Sequence, residues 1–220
     1  MNVNHCKNYE EMSEKAAKIV FERASSAKKQ FSIAISGGDS IKGLLRILGE
    51  KKPKWPHVNV FMVDERAVSV NSPESNFEQA RELFFSKSPE IHAHALDLKK
   101  GAKEYSNRFM EITKGKVDLI VLGVGEDGHI ASLFPNKPSL DYKEEGYLEI
   151  SDSPKPPKKR FSLSVKTIQN AQSSIILFAS ESKKPAFKRF MDEEASYQDC
   201  PAKIIRGNKN VSVFTVFGGS

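Results

Sequence analysis

The stretch Val117-Asp118-Leu119-Ile120-Val121-Leu122-Gly123-Val124-Gly125-Glu126-Asp127-Gly128-His129 begins as a strand and ends as a loop. Val117–Leu122 is near-continuously apolar rather than alternating, as a strand covered on both faces should be. Four further runs share this character: Phe31–Ile35, Asn59–Val63, Ser174–Phe178 and Val211–Val216. Between them the apolar residues repeat with helical spacing. Met12, Ala16, Ile19 and Val20 share a face, as do Ile41, Leu44, Leu45 and Leu48. Phe77, Ala80 and Phe84 repeat the pattern, followed by Ala102, Tyr105, Phe109 and Ile112, and by Ala186, Phe187, Phe190 and Met191. Strands alternating with helices mean βαβ units, so the expected fold is α/β, with a mainly parallel sheet and helices on both faces.

The stretch from Pro135 to Arg160 breaks this rhythm with Pro135, Pro138, Pro154, Pro156 and Pro157 and a run of charges. Proline removes backbone donors and fixes φ, so a long surface excursion is expected there. The strand–helix alternation resumes afterwards without a change of composition. The excursion therefore reads as an insertion in one domain, residues 1–220, rather than a linker between two.

Composition bounds the function. The chain has 220 residues, 39% hydrophobic and 28% charged, which is a globular balance. Lys and Arg number 34 against 28 Asp and Glu, a net charge of +6. The basic residues are scattered rather than gathered on one arm, which argues against a nucleic-acid partner and for a small anionic ligand. Two cysteines, Cys6 and Cys200, are too few for a disulfide scaffold and read as free thiols. The polar N-terminus carries no signal core, and no apolar run reaches the ~18 residues a membrane helix needs, so the expected location is the cytoplasm.

Ligands of open α/β sheets bind beyond the carboxyl ends of the strands. After Phe31–Ile35 comes Ser36-Gly37-Gly38-Asp39-Ser40. Two glycines allow close backbone approach, and free amides at a helix start make an anion seat. The plain alternative is a tight turn with Asp39 or Ser40 as N-cap. After Asn59–Val63 comes Asp64-Glu65-Arg66, three charges that are costly at a buried strand end unless they face a wet cleft. Arg66 can grip a phosphate, with Asp64 as the partner that holds it. After Val117–Leu122, Gly125, Asp127 and His129 sit in the most informative loop. Histidine is the side chain best suited to proton transfer near neutral pH, and Asp127 can fix its tautomer. His92 and His94 form a His-X-His pair without an evident third ligand, so no metal is expected.

Together these loops resemble the 6-phosphogluconolactonase family. Gly-Val-Gly-Glu-Asp-Gly-His-Ile-Ala-Ser-Leu-Phe-Pro, residues 123–135, resembles the core motif of that family. Asp64-Glu65-Arg66 with Ser75-Asn76-Phe77 resembles its Asp-Glu-Arg…Ser-Asn-Tyr motif. Ser36-Gly37-Gly38 is similar to its Ser-Gly-Gly-Ser-Thr-Pro loop, and Arg160-Phe161-Ser162-Leu163-Ser164 to its Arg-hydrophobic-Thr-Leu-Thr strand. The resemblance runs in order over roughly residues 10 to 215. It implies a modified doubly wound, Rossmann-like fold shared with glucosamine-6-phosphate deaminases and ribose-5-phosphate isomerases. It also implies hydrolysis of 6-phospho-D-glucono-1,5-lactone in the pentose phosphate pathway, without metal or cofactor.

On this reading His129 is the general base and Asp127 orients it. The Ser36–Ser40 amides, Arg66 and Lys183 hold the phosphate, with Asp64, Gly125 and Arg160 completing the substrate site. Three departures from the family pattern stand out. Asp39 and Ile41 replace Ser and Pro, so Asp39 is expected to cap the helix or point away. The family's Gly-X-X-Lys reads Ser180-Glu181-Ser182-Lys183, with Lys184 as the alternative lysine. Phe214 to Ser220 lacks the family's acidic residue. The rival enzyme is a glucosamine-6-phosphate deaminase or related isomerase, disfavoured by Arg66 and Leu133-Phe134-Pro135. The rival of another class, a sugar-phosphate sensor without catalysis, is disfavoured by the intact Asp127 and His129. A monomer or weak homodimer is expected.

Overall fold

The computed structural model describes residues 1–218; Gly219 and Ser220, the end of the last expected segment, lie outside the described residues. Seven parallel strands form the central sheet: β1 (Asn2–His5), β2 (Phe31–Ile35), β3 (Val58–Met62), β5 (His92–His94), β6 (Leu119–Gly123), β9 (Ser173–Phe178) and β10 (Asn210–Thr215). Their order is β1-β10-β9-β6-β2-β3-β5. A second, antiparallel sheet has the order β4-β8-β7, with β4 at Asp64–Arg66, β7 at Tyr147–Ile150 and β8 at Arg160–Leu163.

Side chains alternate across a strand, and here each set enters a different core. Ile33, Ile35, Val60, Met62, Leu119, Val121, Ile175 and Leu177 pack with α1 (Tyr9–Ser26), α2 (Asp39–Lys51) and α3 (Asn76–Leu83). Ala34, Phe61, Ile120, Leu122, Ile176 and Phe178 pack with α4 (Gly101–Thr113), α5 (Val165–Gln169), α6 (Lys184–Met191) and the second sheet. Both faces are covered, which is why these strands read as continuous apolar runs.

From β2 the chain moves outward through β3 to β5, then returns to β6 on the other side of β2. The strand order reverses there, so the carboxyl ends of β2 and β6 diverge and leave a crevice between them.

The structure corrects the expected surface excursion. Leu140, Tyr147, Leu148 and Ile150 are buried, and Tyr147–Ile150 pairs with Arg160–Leu163. The segment builds part of a core, while its proline-rich tip and several polar residues stay outside. Met191, expected on the buried face of α6, is 37% exposed.

His92 and His94 have structural partners. His94 Nε2–H donates to Asn59 Oδ1 (2.8 Å), and the ring stacks on Phe61 with centroids 4.4 Å apart. His92 Nε2 bonds the Pro56 carbonyl (3.0 Å). Among the described residues, no group of three His, Cys, Asp or Glu side chains could hold a metal ion. His94 Nδ1 is buried without a partner. Burial, with the Arg108 and His92 charges, pushes this imidazole down to about 4. The unfolded chain, titrating near the usual value of about 6.5, then binds more protons across the interval between. His94 should therefore favour folding fully above about pH 6.5 and lose that contribution as pH falls towards 4. Stability should drop by about 1–2 kcal/mol between pH 7.5 and 5. Denaturant unfolding at the two pH values measures the drop, and His94→Gln should abolish it; an unchanged slope in the variant refutes the assignment.

Candidate active site

A cleft of about 770 Å³ opens at the β2/β6 reversal, lined by the loops that follow β2, β4, β6 and β9 and by the tip between β7 and β8. Every residue assigned from sequence to the substrate lines it, and so does His129. Asp127 stands behind His129.

The loop after β6 is folded tightly around the histidine. The Gly125 N–H donates to the His129 carbonyl (2.8 Å), and the Gly128 N–H to the Gly125 carbonyl (3.0 Å). A Cβ on Gly125 would lie 2.0 Å from His129 Nδ1, so only glycine fits against the ring. Gly128 has φ +91°, and a Cβ there would meet Cys200 Sγ at 2.9 Å. His129 Nδ1–H donates to Asp127 Oδ1 (2.5 Å), which also accepts the His129 backbone N–H (3.2 Å). That bond fixes the tautomer and leaves the Nε2 lone pair for the cleft. Burial alone would raise the Asp127 carboxyl, but the hydrogen bond and charge of His129 outweigh it and hold it at about 2. Phe134 packs against the imidazole, with ring centroids 4.5 Å apart.

At the other end, α2 starts at Gly38, whose φ of +82° no L side chain favours. No side chain caps the helix, which corrects the expectation that Asp39 or Ser40 does so. Asp39 lies within the first turn, 93% exposed, and pairs with Lys42 (2.6 Å). Its carboxylate is directed to solvent and held by a cation; its carbonyl accepts the Tyr9 hydroxyl (2.6 Å). A Cβ on Gly37 would fall 2.1 Å from Asn76 Oδ1, so this loop presses directly on α3. Ser36 Oγ is buried and has no partner among the described residues.

Cations line the same cleft as the uncapped amides. Arg66 does not pair with Asp64 as expected; its Nη1 donates to the Glu74 carbonyl, and its Nε is buried without a partner. Lys183 closes the 3-10 turn Glu181–Lys183 and lines the cleft, whereas the neighbouring Lys184 begins α6 and does not. Burial, reinforced by the Lys155 charge and opposed by Glu126, pushes the Lys183 ammonium down.

The three charges at β4 do not share a wet cleft. Asp64 and Glu65 are 5% and 6% exposed. Asp64 Oδ2 accepts the Ser132 hydroxyl (2.6 Å), and its carbonyl accepts Asn76 Nδ2 (2.8 Å), so it joins the histidine loop to α3. Glu65 accepts four hydrogen bonds: the N–H groups of Arg66, Asn76 and Phe77 at 2.8 Å each, and the Ser75 hydroxyl at 3.0 Å. It anchors the start of α3, a role that its place beside Arg66 in the sequence concealed.

Arg160 is also redirected. Its guanidinium lies over Phe134 (5.8 Å) and donates to the carbonyls of Lys155, Pro156 and Pro157. It holds the tip that brings Lys155 to the cleft. Lys155 was not singled out in the sequence because it lies in the proline-rich stretch.

The chain matches the family described as glucosamine-6-phosphate isomerases/6-phosphogluconolactonase over residues 7–214. It is 34% identical over 198 residues to a 6-phosphogluconolactonase of Borreliella burgdorferi, covering 85% of this chain and 84% of that one. It is 31% identical over 206 residues to the 6-phosphogluconolactonase of Rattus norvegicus, covering 85% and 80%. A 6-phosphogluconolactonase structure from Shewanella baltica superposes with a TM-score of 0.85 at 21% identity, over 98% and 97% of the two chains. A monomeric glucosamine-6-phosphate deaminase superposes at 0.78 with 21% identity, over the same shares, so the backbone alone does not separate the two chemistries. With its loops in family order and its strands in the same fold, the chain belongs to the glucosamine-6-phosphate isomerase/6-phosphogluconolactonase family.

Proposed function

We propose that this chain hydrolyses 6-phospho-D-glucono-1,5-lactone to 6-phospho-D-gluconate, the lactone-opening step of the oxidative pentose phosphate pathway. The observation that carries the mechanism is the Asp127–His129 pair, whose free Nε2 opens into a cleft with cations at its other end. His129 takes a proton from water as the water oxygen attacks the lactone carbonyl carbon. When the tetrahedral adduct collapses, the C1–ring oxygen bond breaks and the same nitrogen returns the proton to the ring oxygen. Asp127, ionised throughout the neutral range, holds the ring and stabilises its charged form.

The uncapped start of α2, the unpartnered Ser36 hydroxyl, Arg66 and Lys183 favour a phosphate at the far end. Its binding positions the ring for attack. Arg66→Ala should therefore raise KM for the phosphorylated lactone about tenfold or more while sparing kcat. Hydrolysis of unphosphorylated glucono-1,5-lactone should barely change. Equal losses on both substrates would move Arg66 into the chemistry or the folding of the loop.

The direct test is a hydrolysis assay run immediately after enzymatic generation of the lactone and corrected for spontaneous opening. Ammonia release from glucosamine 6-phosphate, with no lactonase activity, would favour the deaminase instead. A monomer or weak homodimer completes this reading. We read that chain as one domain, since Phe161 and Leu163 of β8 share a core with Phe61 and Ile120 of the main sheet. Two buried, unpaired cysteines suit the cytoplasm. No helix among the described residues is long and apolar enough to cross a membrane.

A further inference from the structure

We propose that Lys155 is a catalytic residue of this cleft, its ammonium stabilising the negative charge that develops on the lactone carbonyl oxygen; the inference rests on the lactonase reading above. When water adds to the carbonyl carbon, the water proton goes to His129 Nε2 and the carbonyl π electrons move onto the oxygen. A cation placed beforehand beside that oxygen lowers the barrier without binding the ground state equally well. Collapse returns those electrons to the carbonyl. The ring C–O bond breaks and the proton on Nε2 passes to the ring oxygen. The new carboxylic acid then releases its proton to solvent, and Lys155 leaves the cycle unchanged.

Three observations place Lys155 in this role. First, its main chain is held from both sides although the residue is exposed. Its N–H donates to Ser153 Oγ (3.3 Å), and its carbonyl accepts Ser153 Oγ (2.8 Å) and Arg160 Nη2 (3.2 Å). Arg160 is only 5% exposed, and a buried guanidinium is costly unless its donors are engaged. Here Nε and Nη2 are engaged by the carbonyls of residues 155–157, so a buried charge fixes an exposed tip. The same guanidinium lies on Phe134, which packs against His129, so the tip and the base share one support.

Second, Lys155 is unpaired, and the carboxylates near it are taken by other lysines. Asp152 takes Lys137 (3.7 Å) and Glu149 takes Lys159 (2.9 Å), leaving Lys155 without an ion pair among the described residues. Of the other cleft cations, Lys42 pairs with Asp39 and Arg160 holds the tip, while Arg66 and Lys183 belong to the phosphate end. Third, Lys155 lines the same cleft as His129 and Lys183. With the base and the phosphate cations accounted for, it is the cation of that cleft left for the carbonyl of a ring anchored at both.

The test compares wild type, Lys155→Met and Lys155→Arg on 6-phosphogluconolactone and on unphosphorylated glucono-1,5-lactone. Lys155→Met should lower kcat about 10²–10³-fold with KM within about threefold, and by a similar factor on both substrates. Lys155→Arg should recover at least about a tenth of the wild-type rate. Thermal unfolding should not move, because the side chain is exposed. A rise in KM confined to the phosphorylated lactone would assign Lys155 to the phosphate end and overturn the proposal. So would an unchanged kcat, or a kcat loss that tracks a lowered Tm and is not rescued by arginine. An inactive wild type would instead overturn the lactonase reading itself, and this inference with it.

Discussion

His129→Ala should lower kcat for the phosphorylated lactone by about 10²–10⁴-fold, the range that loss of a positioned general base removes. The ring is 17% exposed on its side chain and packs against Phe134, so truncation leaves a small space at the cleft wall rather than a hole in the core. The fold should therefore survive, and KM should change little, because the phosphate end is untouched. Asp127 sharpens the test. Held at about 2, it stays ionised at every pH where the enzyme would be assayed. The partner's protonation therefore stays constant between wild type and variant, and a loss of rate in the alanine variant reports the missing imidazole itself. A variant that keeps more than about a tenth of the wild-type kcat would show that another group activates the water.

What could be read from the sequence depended on how far a residue's role extends along the chain. Phe31–Ile35 coincides with β2, and the other four apolar runs lie within two residues of β3, β6, β9 and β10. Each is five or six residues long and buried on both faces, so its pattern is self-contained. β1, β5 and β7 were missed because three or four residues at a sheet edge or in a small sheet carry no period, and polar Asn2, Asn4, His92 and Glu149 mask them. β4 was read only as a charged loop, and β8 was visible only through resemblance to a family strand.

The site divides the same way. Gly125, Asp127 and His129 act on one another within five residues, and their types and spacing reveal the pairing. Glu65 acts on Ser75, Asn76 and Phe77, and Arg160 acts on residues 155–157 across a tight reversal. Nothing in residue type alone says that one carboxylate of Asp64-Glu65-Arg66 turns inward while the arginine remains near the cleft. Of the two Asp39 expectations, the outward orientation holds and the cap does not, for a local reason: Gly38 at φ +82° starts the helix one residue early, so the carboxylate lands inside the first turn instead of before it.

Glu65→Ala should be the most destabilising single truncation near the site, costing about 3–5 kcal/mol. Three backbone N–H groups and a hydroxyl converge on this one carboxylate, and deleting it strands them where water enters poorly. Burial pushes the Glu65 carboxyl up despite those four bonds, so the site holds a charge at some expense and depends on keeping its donors satisfied. For a chain of this size the loss corresponds to a fall in Tm of about 6–20 °C. Glu65→Gln keeps the volume and one acceptor oxygen, but turns an amide N–H₂ towards the Phe77 N–H. It should lie between wild type and alanine. The effect should also reach the cleft, because Asn76, whose N–H Glu65 holds, touches Gly37 at the phosphate end and the Asp64 carbonyl beneath it. Loosening the start of α3 releases that contact, so KM for the phosphorylated lactone should rise in both variants while kcat at saturation falls less. Calorimetry and steady-state kinetics on the same preparations decide the matter. A loss below about 1 kcal/mol in Glu65→Ala would mean that the four donors find water on their own, and that the buried carboxylate anchors nothing.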